Sequence, residues 1–166
     1  MRKTLLLLHL LSISICLSQN EKPSRDSFKL EIVADSLNNY SMDVNASPYF
    51  VKDKILQIYP SENLFIEAEI VSDTISTMKV VEKNQNPDKT IEIEFVQKAE
   101  DRSNIITMLT VKNPFDRKLI YKAVMYTPKG DYWKPTSTIP VRPKLLAFET
   151  WPHSIITLVL SDWEFE

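Results

Sequence analysis

Period-two alternation of apolar and charged residues constrains this chain more than any other feature. Ile66, Ala68 and Ile70 interleave with Glu67 and Glu69, and Ile91, Ile93 and Phe95 interleave with Glu92 and Glu94. Successive side chains of a strand point to opposite faces, so such a run buries one face and wets the other. Wound as helices, both segments would scatter their glutamates around the axis. The same reasoning predicts strands over 28–33, 49–58, 78–82, 105–112, 118–126, 133–139, 154–160 and 163–165, with one helical turn over 35–40. Turn chemistry falls at 59–63, 84–88 and 113–116. Pro128-Lys129-Gly130-Asp131 reads as a hairpin turn, with Pro where its φ is pre-set and the only Gly of the chain two places later. Ile156, Leu158 and Leu160 share one face while Trp163 and Phe165 fall on the other, which predicts a bulge at Ser161-Asp162.

Many short strands without a convincing helix point to a sandwich or a barrel. An eight-stranded membrane barrel would spread its aromatics over two rims. Here they crowd into the C-terminal third, and the chain has 10 Pro. The sandwich is therefore expected. The stretch 105–112, the turn Asn113-Pro114-Phe115-Asp116 and the stretch 117–126 together resemble the hairpins of immunoglobulin-like domains. The strand–Asn–strand layout is also similar to that of the bacterial immunoglobulin-like proteinase inhibitors. No inhibitory loop is matched residue by residue, and the Cys…Trp…Cys framework of antibody domains is absent. The resemblance implies an all-β, antiparallel, immunoglobulin-like β-sandwich and leaves function open.

The N-terminus carries its own signature. Met1-Arg2-Lys3-Thr4 precedes a short apolar run from Leu5 to Ile15, and small residues at Cys16 and Ser18 frame a cleavage site after Ser18. A basic start followed by an apolar run too short to span a bilayer is the layout of an export signal. The organisation that follows is a signal peptide over 1–18, a flexible polar tail over 19–26 and one sandwich domain over 27–166. The expected location is periplasmic or secreted, with a mature chain starting at Gln19 and no transmembrane segment after cleavage. The alternative is a lipoprotein anchored through Cys16, although that chemistry prefers a small residue where Ile15 stands.

Cleavage would leave one histidine, His153, and no cysteine. An exported domain without cysteine must be held by its hydrophobic core. Zinc, which usually takes three or four His and Cys ligands, has no ligand set here. A chain with 1 Gly offers no phosphate-cradling loop, so no cofactor is expected. With 22 acidic residues against 20 basic ones, nucleic acid is not an expected partner. His153 precedes Ser154 in sequence, but a nucleophilic triad needs spatial partners and an oxyanion hole, and a surface histidine is the expectation.

The carboxylate pairs Glu67/Glu69 and Glu92/Glu94 read as solvated sheet faces, or else as the acids of a carbohydrate hydrolase. Aromatics supply the remaining signal. Trp163 and Phe165 are expected in the core. Tyr132, Trp133 and Trp151 form the candidate binding surface, because exposed aromatics anchor partners. The expected function is a non-catalytic binding module for a protein, a peptide or a cell-envelope component. A secreted proteinase inhibitor presenting 136–143, with Pro135, Pro140 and Pro143, is the first alternative, and the hydrolase is the second.

Overall fold

A computed structural model describes residues 20–130 and 132–166. The expected signal peptide, with Cys16 and Gln19, lies outside the described residues, as does Asp131. Fourteen strands and no helix are present among the described residues, so nothing there is helical, long and apolar enough to cross a membrane. In chain order they are β1 (Ser24–Arg25), β2 (Phe28–Val33), β3 (Asn39–Val44), β4 (Ser47–Pro48), β5 (Phe50–Lys52), β6 (Ile55–Ile58) and β7 (Glu62–Val71). There follow β8 (Thr74–Val81), β9 (Thr90–Lys98), β10 (Ile106–Lys112), β11 (Leu119–Tyr126), β12 (Lys134–Thr136), β13 (Leu146–Trp151) and β14 (Thr157–Phe165).

Two five-stranded antiparallel sheets pack face to face, one ordered β13-β10-β9-β7-β8 and the other β12-β11-β14-β6-β5. The alternating residues meet between them. Ile66, Ile91, Ile93, Phe95, Leu109 and Val111 of the first sheet oppose Leu56, Ile58, Leu119, Leu158 and Leu160 of the second, all fully buried. The chain changes sheet four times, between β6 and β7, β10 and β11, β12 and β13, and β13 and β14. A hairpin of β2 and β3 adds a smaller core of Leu30, Ile32 and Val44 against Tyr59 and Ile156.

Several expectations change on the way to the fold. The strands either side of Asn113-Pro114-Phe115-Asp116 lie in opposite sheets and form no hairpin with each other. Asn113 causes the crossing: it is fully buried, and its Nδ2 donates to the carbonyls of Arg117, Val141 and Arg142 while its Oδ1 accepts from the Phe115 amide. The predicted helical turn over 35–40 is a tight turn that leads into β3. Asp35 accepts the Leu37 and Asn38 amides, offering the backbone an alternative to helix.

The polar segment 20–26, read as a tail, is instead woven into the fold. Lys22 donates to Val80 O, Glu82 donates to Asn20 O, and β1 pairs with β4. Arg25 is the reason it stays, buried to 3% exposure and paired with Glu62 at 2.7 Å. The bulge at Ser161-Asp162 forms where expected. Between Ile120↔Glu164 and Lys122↔Ser161 the strand β14 holds one extra residue, with Asp162 at φ 53°. That insertion returns Trp163 to the face of Leu158 and Leu160, where it is 2% exposed and stacks on Tyr121 at 5.0 Å.

Candidate functional site

Four connections gather at one end of the sandwich: the β2–β3 turn, the β9–β10 loop, the β11–β12 loop and the β13–β14 loop. Together they line a cleft of about 540 Å³. Local chemistry shapes each wall. Asp35 closes the β2–β3 turn through amides at 2.9 Å, and those hydrogen bonds hold its carboxyl below the ordinary carboxylate range, so it remains an anion. Asp101 closes the β9–β10 loop in the same way, through the Ser103 amide and hydroxyl, and is likewise held low. In the β11–β12 loop Gly130 N donates to Thr127 O at 3.2 Å across Pro128 and Lys129, the turn that the sequence predicts. A Cβ at Gly130 would stand 3.3 Å from Thr127 Oγ1 and 3.5 Å from Lys134 Cε, so glycine leaves room for the Lys134 side chain.

The floor is braced by Gln97 of β9. Its Oε1 accepts the Val33 amide and its Nε2 donates to Val33 O and Ser154 Oγ, at 2.9 to 3.1 Å. The Ser154 hydroxyl in turn donates to the carbonyls of Val33 and Ala34. Ser154 is buried and fully engaged, whereas His153 is exposed and offers its carbonyl to Thr107 Oγ1 at 2.8 Å. Nothing in this pair resembles a hydroxyl poised on an imidazole.

The charge of the cleft differs from that of the chain. Arg102, Lys129 and Lys134 line it together with His153, and among the described lining residues Asp35 is the one carboxylate. Lys129 Nζ lies 3.8 Å from Asp35 Oδ2, but with the lysine side chain 75% exposed this pair holds little. Arg102 donates to the neutral amide oxygen of Asn39. Lys134 Nζ stands 4.8 Å from the Tyr132 ring centre, which places Tyr132 at the rim.

Of the three aromatics expected at a binding surface, two are exposed and the third is buried. Tyr132 and Trp133 are exposed at 63% and 46%, and Trp133 leans on Tyr126 at 5.4 Å. Trp151 is a core residue at 8% exposure. It ends β13 on the inward phase set by Ala147, and its indole N–H donates to Thr136 Oγ1 at 2.9 Å. Three of the four paired carboxylates are held in structural contacts on the outer face of the first sheet. Glu67 is buried rather than solvated, because the 84–89 connection folds over it and Asn86 Nδ2 donates to it at 2.6 Å. Glu69 pairs with Lys89, which holds it below the ordinary carboxylate range, and Glu92 takes Lys112 and Asn84. Glu94 is exposed.

The segment 137–145 runs along the side of the sandwich. Thr138 Oγ1 donates to Tyr121 O, Val141 exchanges both backbone bonds with Leu119, and Ile139 protrudes at 55% exposure. Sequence reasoning anticipated the hairpin turn, and Tyr132 and Trp133 are exposed. It missed the three cations, Arg102 and Lys129 in two of these loops and Lys134 at the start of β12, which share no sequence pattern and which only the fold collects. Compared with known proteins, the chain matches no family model, no curated protein and no solved structure.

Proposed function

We propose that this chain is an exported, non-catalytic binding module of immunoglobulin-like type, active in the periplasm or outside the cell, that holds a protein, a peptide or a cell-envelope component at the loop end of its sandwich. The observation that carries the reading is the cleft of about 540 Å³, whose Lys134 reaches the exposed ring of Tyr132. Clefts of this size with few, convergent polar groups are where ligands bind, and loops on a rigid scaffold are where binding residues gather. The bracing by Gln97 and Ser154 supports it further, because a preformed site loses little entropy on binding. Four sheet changes and loops clustered at the sandwich ends support the immunoglobulin-like type.

Cosedimentation with isolated cell envelopes and binding to an arrayed peptide library test the reading. Ser36→Trp and Ser103→Trp fill the cleft from two walls and are expected to abolish whatever binding the unmodified protein shows. Binding that both variants retain places the function elsewhere. Export is tested separately by the mass of the mature protein, expected to begin at Gln19. One observation favours the proteinase-inhibitor reading: Ile139 is presented on a segment pinned on both sides. A proteinase panel in which no enzyme is slowed removes it.

A further inference from the structure

We propose that the end cleft takes a carboxylate-rich peptide segment, an inference that rests on the binding reading above. Charge complementarity is the first argument. Arg102, Lys129 and Lys134 converge from two loops and a strand start onto one concavity, in a chain whose net charge is −2. Among the described residues these cations meet weak internal partners: Asp35 at 3.8 Å from a solvated Lys129, a neutral Asn39 oxygen and the face of Tyr132. Asp35 itself is taken up by the amides of its own turn. Among the described residues the cleft therefore presents positive charge without a close, buried carboxylate partner, and a ligand carboxylate would find two ammonium groups and a guanidinium within one site.

The walls decide between kinds of anion. Ile105, Met125, Pro128 and Pro135 line the same cleft, so apolar surface alternates with the cations. A peptide matches this pattern, since it carries carboxylates on aliphatic stems between other apolar side chains. An acidic glycan would need open aromatic faces to stack on. Here one face of Tyr132 is occupied by the Lys134 ammonium, and Trp133 rests on Tyr126. Occupied faces favour the peptide.

Fluorescence anisotropy with three labelled peptides of equal length tests the inference: one of glutamate and leucine, one with glutamine for glutamate, one with lysine for glutamate. A labelled polymannuronate oligosaccharide is the fourth probe. The glutamate peptide is expected to saturate, its glutamine counterpart to bind at least roughly tenfold more weakly, and the lysine peptide not to bind. The double variant Lys129→Gln/Lys134→Gln is expected to weaken the glutamate peptide about tenfold with unchanged thermal unfolding, since both side chains are on the surface. Equal binding of the glutamate and glutamine peptides, lost in Ser103→Trp, overturns the charge selectivity while leaving the binding reading standing. Preference for polymannuronate over every peptide overturns the ligand class. Absence of cleft-dependent binding by all four probes also overturns the inference, and the envelope and array experiments above then judge the binding reading by itself.

Discussion

Replacing Arg25 with alanine is expected to cost about 3–5 kcal/mol of folding stability, the range for breaking a buried ion pair from one side. The side chain of Arg25 is 2% exposed and that of Glu62 is 13% exposed. Arg25 donates Nε to Glu62 Oε1 at 2.7 Å and Nη2 to Gln57 O at 2.6 Å, and Nη1 reaches Ser47 Oγ at 3.2 Å. Its guanidinium also lies 4.6 Å from the Tyr49 ring and 5.1 Å from the Tyr59 ring. Truncation therefore strands a carboxylate in a pocket that water scarcely enters, with the Tyr59 amide as its remaining partner. In a domain of this size the loss lowers Tm by on the order of 10 °C. Urea unfolding followed by the fluorescence of the buried Trp151 and Trp163 reads it as a shift of midpoint at constant slope. The double variant Arg25→Met/Glu62→Leu removes both charges and is expected to lose less than Arg25→Ala alone. A loss for Arg25→Ala within about 0.5 kcal/mol, the value for an ordinary surface position, would mean that 20–26 is a loose tail after all.

Other residues give sharper contrasts. Trp163→Ala is expected to cost about 3–5 kcal/mol and Trp133→Ala less than about 0.5 kcal/mol in the same urea assay, because the first is 2% exposed and the second 46%. Tyr121→Phe is expected to stabilise by about 1 kcal/mol, since the buried Tyr121 hydroxyl has no hydrogen-bond partner among the described residues. Burial, with Glu149 nearby, also raises the pKa of Tyr121 above the usual 10.0. Its folded pKa thus exceeds its unfolded one, so its contribution is intact below pH 10 and is lost as pH rises beyond it, and Tyr121→Phe should flatten that alkaline decline. Asp162→Val, which places a β-branched residue at φ 53°, is expected to cost about 1–3 kcal/mol by thermal unfolding.

Much of the β architecture is legible in the side-chain alternation, and the reasons for its failures are physical. Ile66, Ile91, Ile93 and Phe95 face inward as their period demands, and the phase change before Trp163 marks a real bulge. Ile70 departs from its pattern because a register shift between Glu69 and Ile70 turns it out to 43% exposure. Arg25 escapes sequence reasoning because its partners, Glu62 and the Gln57 carbonyl, lie more than thirty residues away and no local pattern announces a buried arginine. β3 (Asn39–Val44) was not expected even though Tyr40, Met42 and Val44 alternate with Asn39, Ser41 and Asp43, and β13 (Leu146–Trp151) was hidden because apolar Leu146 and Phe148 sit on its exposed phase. The cleft is hidden too. Tyr132 and Trp133 stand out by type, whereas Arg102, Lys129 and Lys134 share one cleft only because the fold brings two loops and the start of β12 together. Trp151 shows the converse: an aromatic beside a proline looks available in sequence, and its place at the inward end of β13 buries it.

Amide chemical-shift mapping of the isotopically labelled protein during titration with the glutamate–leucine peptide tests the account most directly. The account predicts saturable shifts confined to residues 34–36, 102–105, 127–129, 134–135 and 152–154, which line the end cleft. Shifts concentrated on the outer face of the first sheet or along 137–145, with those walls unmoved, would contradict it.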